Sequence, residues 1–124
     1  MARRRMFSKD IVVTDKFITM PTTSRCLYFE LAMQADDDGF VSNPKILLRM
    51  LGFNESDLQI LFINKYVIPF KSGVVVITHW KQHNSIPKDR YTPTVYTEEK
   101  ALLKEKKNKE YFLEDSCQQF FPQI

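Results

Sequence analysis

Residues 43–80 read NPKILLRMLGFNESDLQILFINKYVIPFKSGVVVITHW, and the order of signals in this stretch decides the fold. Asn43 carries the side-chain acceptor favoured at an N-cap and Pro44 suits the first helical position, so a helix opens there. Ile46, Leu47, Met50 and Leu51 follow at helical spacing, and Gly52 supplies a helix end. Asn54 starts a second helix, with Glu55 and Asp57 in its electropositive first turn and Leu58, Leu61 and Phe62 as its apolar stripe. Tyr66 to Phe70 and Val74 to Trp80 are β-rich runs joined by Lys71-Ser72-Gly73, a short hairpin loop. Helix, tight turn, helix and hairpin in this order predict an α+β fold, a winged helix-turn-helix whose wing is the two strands.

Outward from this stretch, Thr22 to Ala35 reads as a longer helix, with Thr22 or Thr23 as cap and Cys26, Leu27, Phe29, Leu31 and Met33 toward the core. A helical turn around Asp15 to Thr19 places Phe17 and Ile18 against the same core. Asp36-Asp37-Asp38-Gly39 ends the long helix and starts a turn, and Phe40-Val41-Ser42 is a short strand able to pair with the wing. The expected core is Leu27, Leu31, Leu47, Leu51, Leu58, Leu61, Val75 and Ile77. Beyond Trp80 a polar loop holds Pro87 and Pro93, and Thr97 to Leu113 reads as a helix without a continuous apolar stripe. The organisation predicted is therefore a basic arm over 1–9, a winged-helix domain over 10–80, and a linker with a solvated helix and tail over 81–124.

The chain has 124 residues, 44% of them hydrophobic, enough for one domain with flanks. No apolar run approaches the roughly 20 residues of a membrane helix, no signal-peptide pattern follows the start, and two distant cysteines make no disulfide framework. A cytoplasmic location is expected. The net charge of +3 is unevenly placed: residues 1–9 carry Arg3, Arg4, Arg5 and Lys9 without an acid, 10–80 are slightly acidic, and 81–113 are again basic. A polyanion would be held largely by the flanks.

Catalytic chemistry finds little support. His79 and His83 are four apart but lack the HExxH helix of a zinc site, and read as a solvated pair. Asp36 to Asp38 lack the spacing and terminal Glu of a calcium loop. With three glycines there is no glycine-rich phosphate loop. Neither enzyme activity, nor a metal, nor a cofactor is expected. For DNA, the second helix of the pair offers Ser56, Gln59 and Asn64 outward, with Lys45 on the helix before it, while Glu55 and Asp57 would repel phosphate. Arg3, Arg4 and Arg5 read equally as a minor-groove arm or a solvated terminus. Lys71 and Ser72 at the wing tip are phosphate contacts, and Lys81, Lys88 and Arg90 with Tyr91 form a basic-aromatic stretch. Ile60 and Ile63, on the outward face of the same helix, fit thymine methyls or an oligomer interface.

Several further stretches carry a resemblance: Arg5-Met6-Phe7-Ser8, Met20-Pro21, Leu27-Tyr28-Phe29, Ala35 to Val41, Val67-Ile68-Pro69-Phe70, Ser72 to Ile77, His79-Trp80 and Lys88-Asp89-Arg90-Tyr91. From about Arg3 to Tyr96 the chain resembles the N-terminal domain of phage and prophage replisome organisers of Gram-positive bacteria, related in architecture to the DnaD and DnaB primosome proteins. The resemblance implies a winged-helix domain in the host bacterial cytoplasm that binds duplex DNA at a phage origin. It also implies assembly into a homo-oligomer or with a helicase loader or other primosome protein. The competing expectation is a winged helix used mainly as an oligomerisation module.

Overall fold

Asn43, Gly52 and Gly73 occupy the turns for which their chemistry suits them, and in the computed structural model, which describes residues 5–113, they delimit the elements of the middle of the chain. In order these elements are α1 (Lys9–Val12), α2 (Asp15–Ile18), α3 (Thr22–Gln34), β1 (Phe40–Val41), α4 (Pro44–Leu51), α5 (Glu55–Ile63), β2 (Val67–Pro69) and β3 (Val75–Ile77). They are followed by α6 (Trp80–His83), α7 (Thr97–Leu102), β4 (Leu103–Glu105) and β5 (Tyr111–Leu113). The fold is α+β with two small antiparallel sheets, ordered β1-β3-β2 and β4-β5.

Asn43 Oδ1 accepts the Ile46 N–H at 3.3 Å, and Gly52 ends α4 at φ +79°, a left-handed position that glycine takes without strain. Asp57, in the first turn of α5, accepts the Asn54 N–H through Oδ2 at 3.0 Å and the Thr23 hydroxyl through Oδ1 at 2.6 Å. It thereby ties α5 to the start of α3. Thr23 serves this contact rather than capping α3, whose N-cap is Pro21. At the other end of α5, Lys65 turns left-handed at φ +63° while Tyr66 N–H reaches back to the Leu61 carbonyl. Lys65 itself is exposed.

On α3 the buried stripe is Ser24, Leu27, Tyr28, Leu31 and Ala32, spacing that leaves Cys26 and Met33 exposed and Phe29 half-buried, contrary to their expected inward placement. Ile18 is likewise exposed while Phe17 is buried. Helix α4 departs further. Pro44 and Leu48 face inward and Leu47 is half-buried, so Ile46, Met50 and the expected core residue Leu51 are exposed. Its apolar spacing was legible, but the residues turned inward are Pro44 and Leu48.

Strand β3 explains the rest of the chain. Val75, Val76 and Ile77 are all buried, which an alternating strand achieves only when both sheet faces are covered. Val75 and Ile77 share the face of Val41 and Val67 toward α3 and α5; Val76 shares the face of Phe40 and Ile68. Residues beyond Trp80 lie on that second face: the Tyr96 ring sits 6.1 Å from the Phe40 ring, tilted by 39°, and Tyr111 and Leu113 belong to the hydrophobic core. Tyr111 N–H donates to the Thr78 carbonyl at 2.9 Å, joining the two sheets. The predicted helix over 97–113 is thus a short helix with no buried residue followed by a hairpin, and within 81–113 Tyr96, Leu103, Tyr111 and Leu113 reach the core while most of the other residues are exposed. The second β-rich run also stops early, because Trp80 opens α6.

Candidate functional site

The groove between α4, α5 and the β2–β3 hairpin gathers Lys45 from the first turn of α4, Gln59 from α5 and Ser72 from the hairpin tip, with Leu48, Leu58 and Phe62 as its apolar floor. Lys45 and Ser56 are exposed and Gln59 half-buried. Asn64 Nδ2 donates to the Ile60 carbonyl at 2.9 Å, so this side chain closes its own helix instead of projecting outward. The acids of α5 are unequal: Glu55 is exposed, but Asp57 is buried and satisfied by Asn54 and Thr23. Only one carboxylate of that first turn opposes an anion in the groove. Lys71 is exposed beside Ser72, whose hydroxyl donates to Glu99 Oε2 at 2.7 Å.

The other predicted contacts lie elsewhere. Arg5, the described member of the Arg3-Arg4-Arg5 run, is no free arm. Its guanidinium donates to the Ala35 carbonyl at 2.7 Å, lies 3.7 Å from Asp37 Oδ1 and sits 5.1 Å over the Trp80 ring. With 4% of its side chain exposed it is a structural cation. Arg3 and Arg4 lie outside the described residues. Lys81 and Lys88 line a separate cleft, Lys81 being paired with Glu105, and Arg90 is exposed on the loop that follows. Of the two predicted interface isoleucines, Ile63 is exposed and Ile60 half-buried.

Sequence reasoning missed the role of Asp36, Asp37 and Asp38. Beyond ending α3 they anchor the whole extension. Asp36 accepts the Thr94 hydroxyl at 2.5 Å, Asp37 the Thr92 N–H at 3.0 Å, and Asp38 the Thr94 N–H and the Tyr91 hydroxyl, each at 2.8 Å. The Asp37 carbonyl takes the Trp80 indole N–H at 2.9 Å, and Lys100 pairs with Asp38 at 3.3 Å. The Tyr91 hydroxyl, and after it Asp38, raises the Lys100 pKa. Three adjacent carboxylates that would repel one another are a signal for such donors, though sequence does not say where they come from.

The histidines are not a solvated pair; both are buried. Ser8 N–H donates to His83 Nδ1 at 2.8 Å, which places the ring proton on Nε2, where it faces the Tyr28 hydroxyl at 2.6 Å. Burial, and then His79, pushes the His83 pKa down to about 4. His79 is lowered by burial against the opposing pull of Glu110, 3.0 Å away. Neither geometry resembles a metal site, and no group of three ligating side chains converges among the described residues. Nor is any described helix long and apolar enough to cross a membrane.

Compared with protein-family models, curated proteins and solved structures, the chain matches none.

Proposed function

We propose that the protein is a winged helix-turn-helix that binds duplex DNA without catalysis, acting at a phage replication origin as replisome organisers do and assembling replication proteins there. The observation that carries this reading is the arrangement α4, left-handed Gly52, α5, and the β2–β3 hairpin in a β1-β3-β2 sheet. That order and pairing is compatible with a helix-turn-helix followed by one wing. The groove supports it with Lys45 and Gln59, which line it together with Glu55 opposite the hairpin that carries Lys71 and Ser72, and with Asp57 withdrawn from the surface. The contact set differs from the one expected from sequence: Arg5 and Asn64 are engaged internally, the Ser72 hydroxyl donates to Glu99, and Lys81 and Lys88 lie on another cleft.

Fluorescence anisotropy with a duplex of roughly 20–30 base pairs, two to three turns, tests the reading. Affinity should fall steeply with salt as neutralised phosphates release counterions. Lys71→Glu and Lys45→Glu should each weaken binding, and salt-insensitive or absent binding at low ionic strength would reject it.

A second reading, assembly through the same pair of helices, is favoured by the outward apolar face of α4, where Ile46 is 52% and Met50 73% exposed, and by Ile63 on α5. The apolar run Val74 to Ile77 does not support it, being covered within the chain. Met50→Lys with Ile63→Lys, followed by sizing and DNA binding in parallel, separates the two: loss of an oligomer with DNA affinity retained identifies an assembly face.

A further inference from the structure

Away from the α4–α5 groove, the Asp37–Asp38 turn, the loop after α6 and the β4–β5 hairpin enclose a cleft of about 470 Å³. That lies within the roughly 300–1,000 Å³ of small-ligand sites. Four lysines line it from well-separated segments: Lys81, Lys88, Lys100 and Lys109. Three carboxylates line it too, but each is engaged within the protein. Asp37 is held by Arg5 and Thr92, Asp38 by Tyr91, Thr94 and Lys100, and Glu105 by Lys81. Lys88 and Lys109 make no ion pair among the described residues. The uncompensated charge of the cleft is therefore positive, and its ligand is an anion.

Lys109 is fixed in the turn between β4 and β5 at φ +71°, its N–H donating to the Lys106 carbonyl at 2.8 Å. A bare phosphate would fill only a small part of the cleft, and half-buried Ile86 and Tyr91 offer apolar surface beside the lysines. A duplex is too wide to enter, so a base reaches this space only unpaired.

We propose that this cleft binds a nucleoside phosphate, free or as one unit of a single strand. Lys88 and Lys109 take the phosphate, and the ring rests against Ile86 and Tyr91, the pairing of cation and aromatic surface used for unpaired nucleotides. The inference does not depend on duplex binding by α4 and α5, since none of these side chains lies in that groove.

Trp80, the only tryptophan in the chain, lines the cleft and reports on it. The full chain is titrated with thymidine monophosphate, inorganic phosphate and a short oligothymidylate, following Trp80 emission with calorimetry in parallel. A saturable response to thymidine monophosphate, stronger than to inorganic phosphate, is expected. Both responses should weaken by about tenfold or more in Lys88→Ala/Lys109→Ala, as charge-assisted phosphate contacts are removed from exposed positions. Lys109→Gly should lose affinity while its unfolding midpoint holds or rises, separating a ligand role from a turn role. Much tighter binding of the oligothymidylate assigns the site to a strand, and equal affinity assigns it to the free nucleotide. No saturable response to any of the three probes, or undiminished affinity in the folded double variant, overturns the proposal.

Discussion

Single residues fix the junctions of this fold, and two of them have consequences that can be measured. Gly39 turns at φ +92° with Trp80 directly beneath; a Cβ there would stand 2.6 Å from Trp80 Cγ and 2.7 Å from its Cβ. Gly39→Ala therefore adds a disfavoured backbone to an overpacked core, and should lower unfolding free energy by about 2–4 kcal/mol in urea denaturation. His83 sets a pH dependence. Its folded pKa of about 4 lies below the ordinary 6.5, so between those values the unfolded chain binds a proton that the folded chain refuses. Stability is fully present above pH 6.5 and falls as pH drops toward 4, by up to about 1.4 kcal/mol per pH unit. His79, also lowered, acts in the same direction. Denaturation curves across this range should show the slope, and His83→Gln should flatten it; an unchanged slope would mean that the Ser8–His83–Tyr28 contact does not govern the neutral state.

At the scale of elements, local chemistry was readable and long-range partnership was not. Asn43, Pro44 and Gly52 act on their own neighbours, so α4 and the turn into α5 could be placed from sequence, as could the hairpin around Gly73. The phase of α4 could not, because Ile46, Leu47, Met50 and Leu51 make as good a stripe as Pro44 and Leu48 until the rest of the core is in place. The hairpin beyond α7 is hidden in the sequence for a related reason. The apolar groups beyond Trp80 are few, and the order there comes from Asp36, Asp37 and Asp38, more than fifty residues earlier in the chain. The uniform apolar run at β3 was the available clue, since a strand buried on both faces needs a second cover. Leu61 is fully buried on α5, and Leu61→Ala should cost about 2–5 kcal/mol. Tyr111→Ala should cost about 3–5 kcal/mol, measured the same way, because β5 belongs to the core. Limited proteolysis should spare the backbone of β4 and β5 in the native protein; rapid cleavage at Lys104 or Lys106 would return the extension to the status of a linker.

For the whole molecule, the packing separates the candidate contacts into two regions. One lies along α4, α5 and the β2–β3 hairpin; the other surrounds the cleft of Lys81, Lys88, Lys100 and Lys109. The candidate duplex contacts in the first were legible because they sit on elements defined by local signals. The second was half-visible as Lys81, Lys88 and Tyr91, but Lys100 and Lys109 join it only through the folding back of α7 and the hairpin. Arg5 shows the converse: a residue that looks like a free basic arm is consumed by Asp37 and Trp80. The proposal that α5 and the β2–β3 hairpin receive duplex DNA is tested by amide hydrogen exchange on the full chain with and without duplex. The predicted result is slowed exchange across Ser56 to Ile63 and Phe70 to Val74, with the α6-to-β4 segment unchanged. Exchange unaltered in both stretches at saturating duplex, or protection confined to residues 81–109, would contradict it.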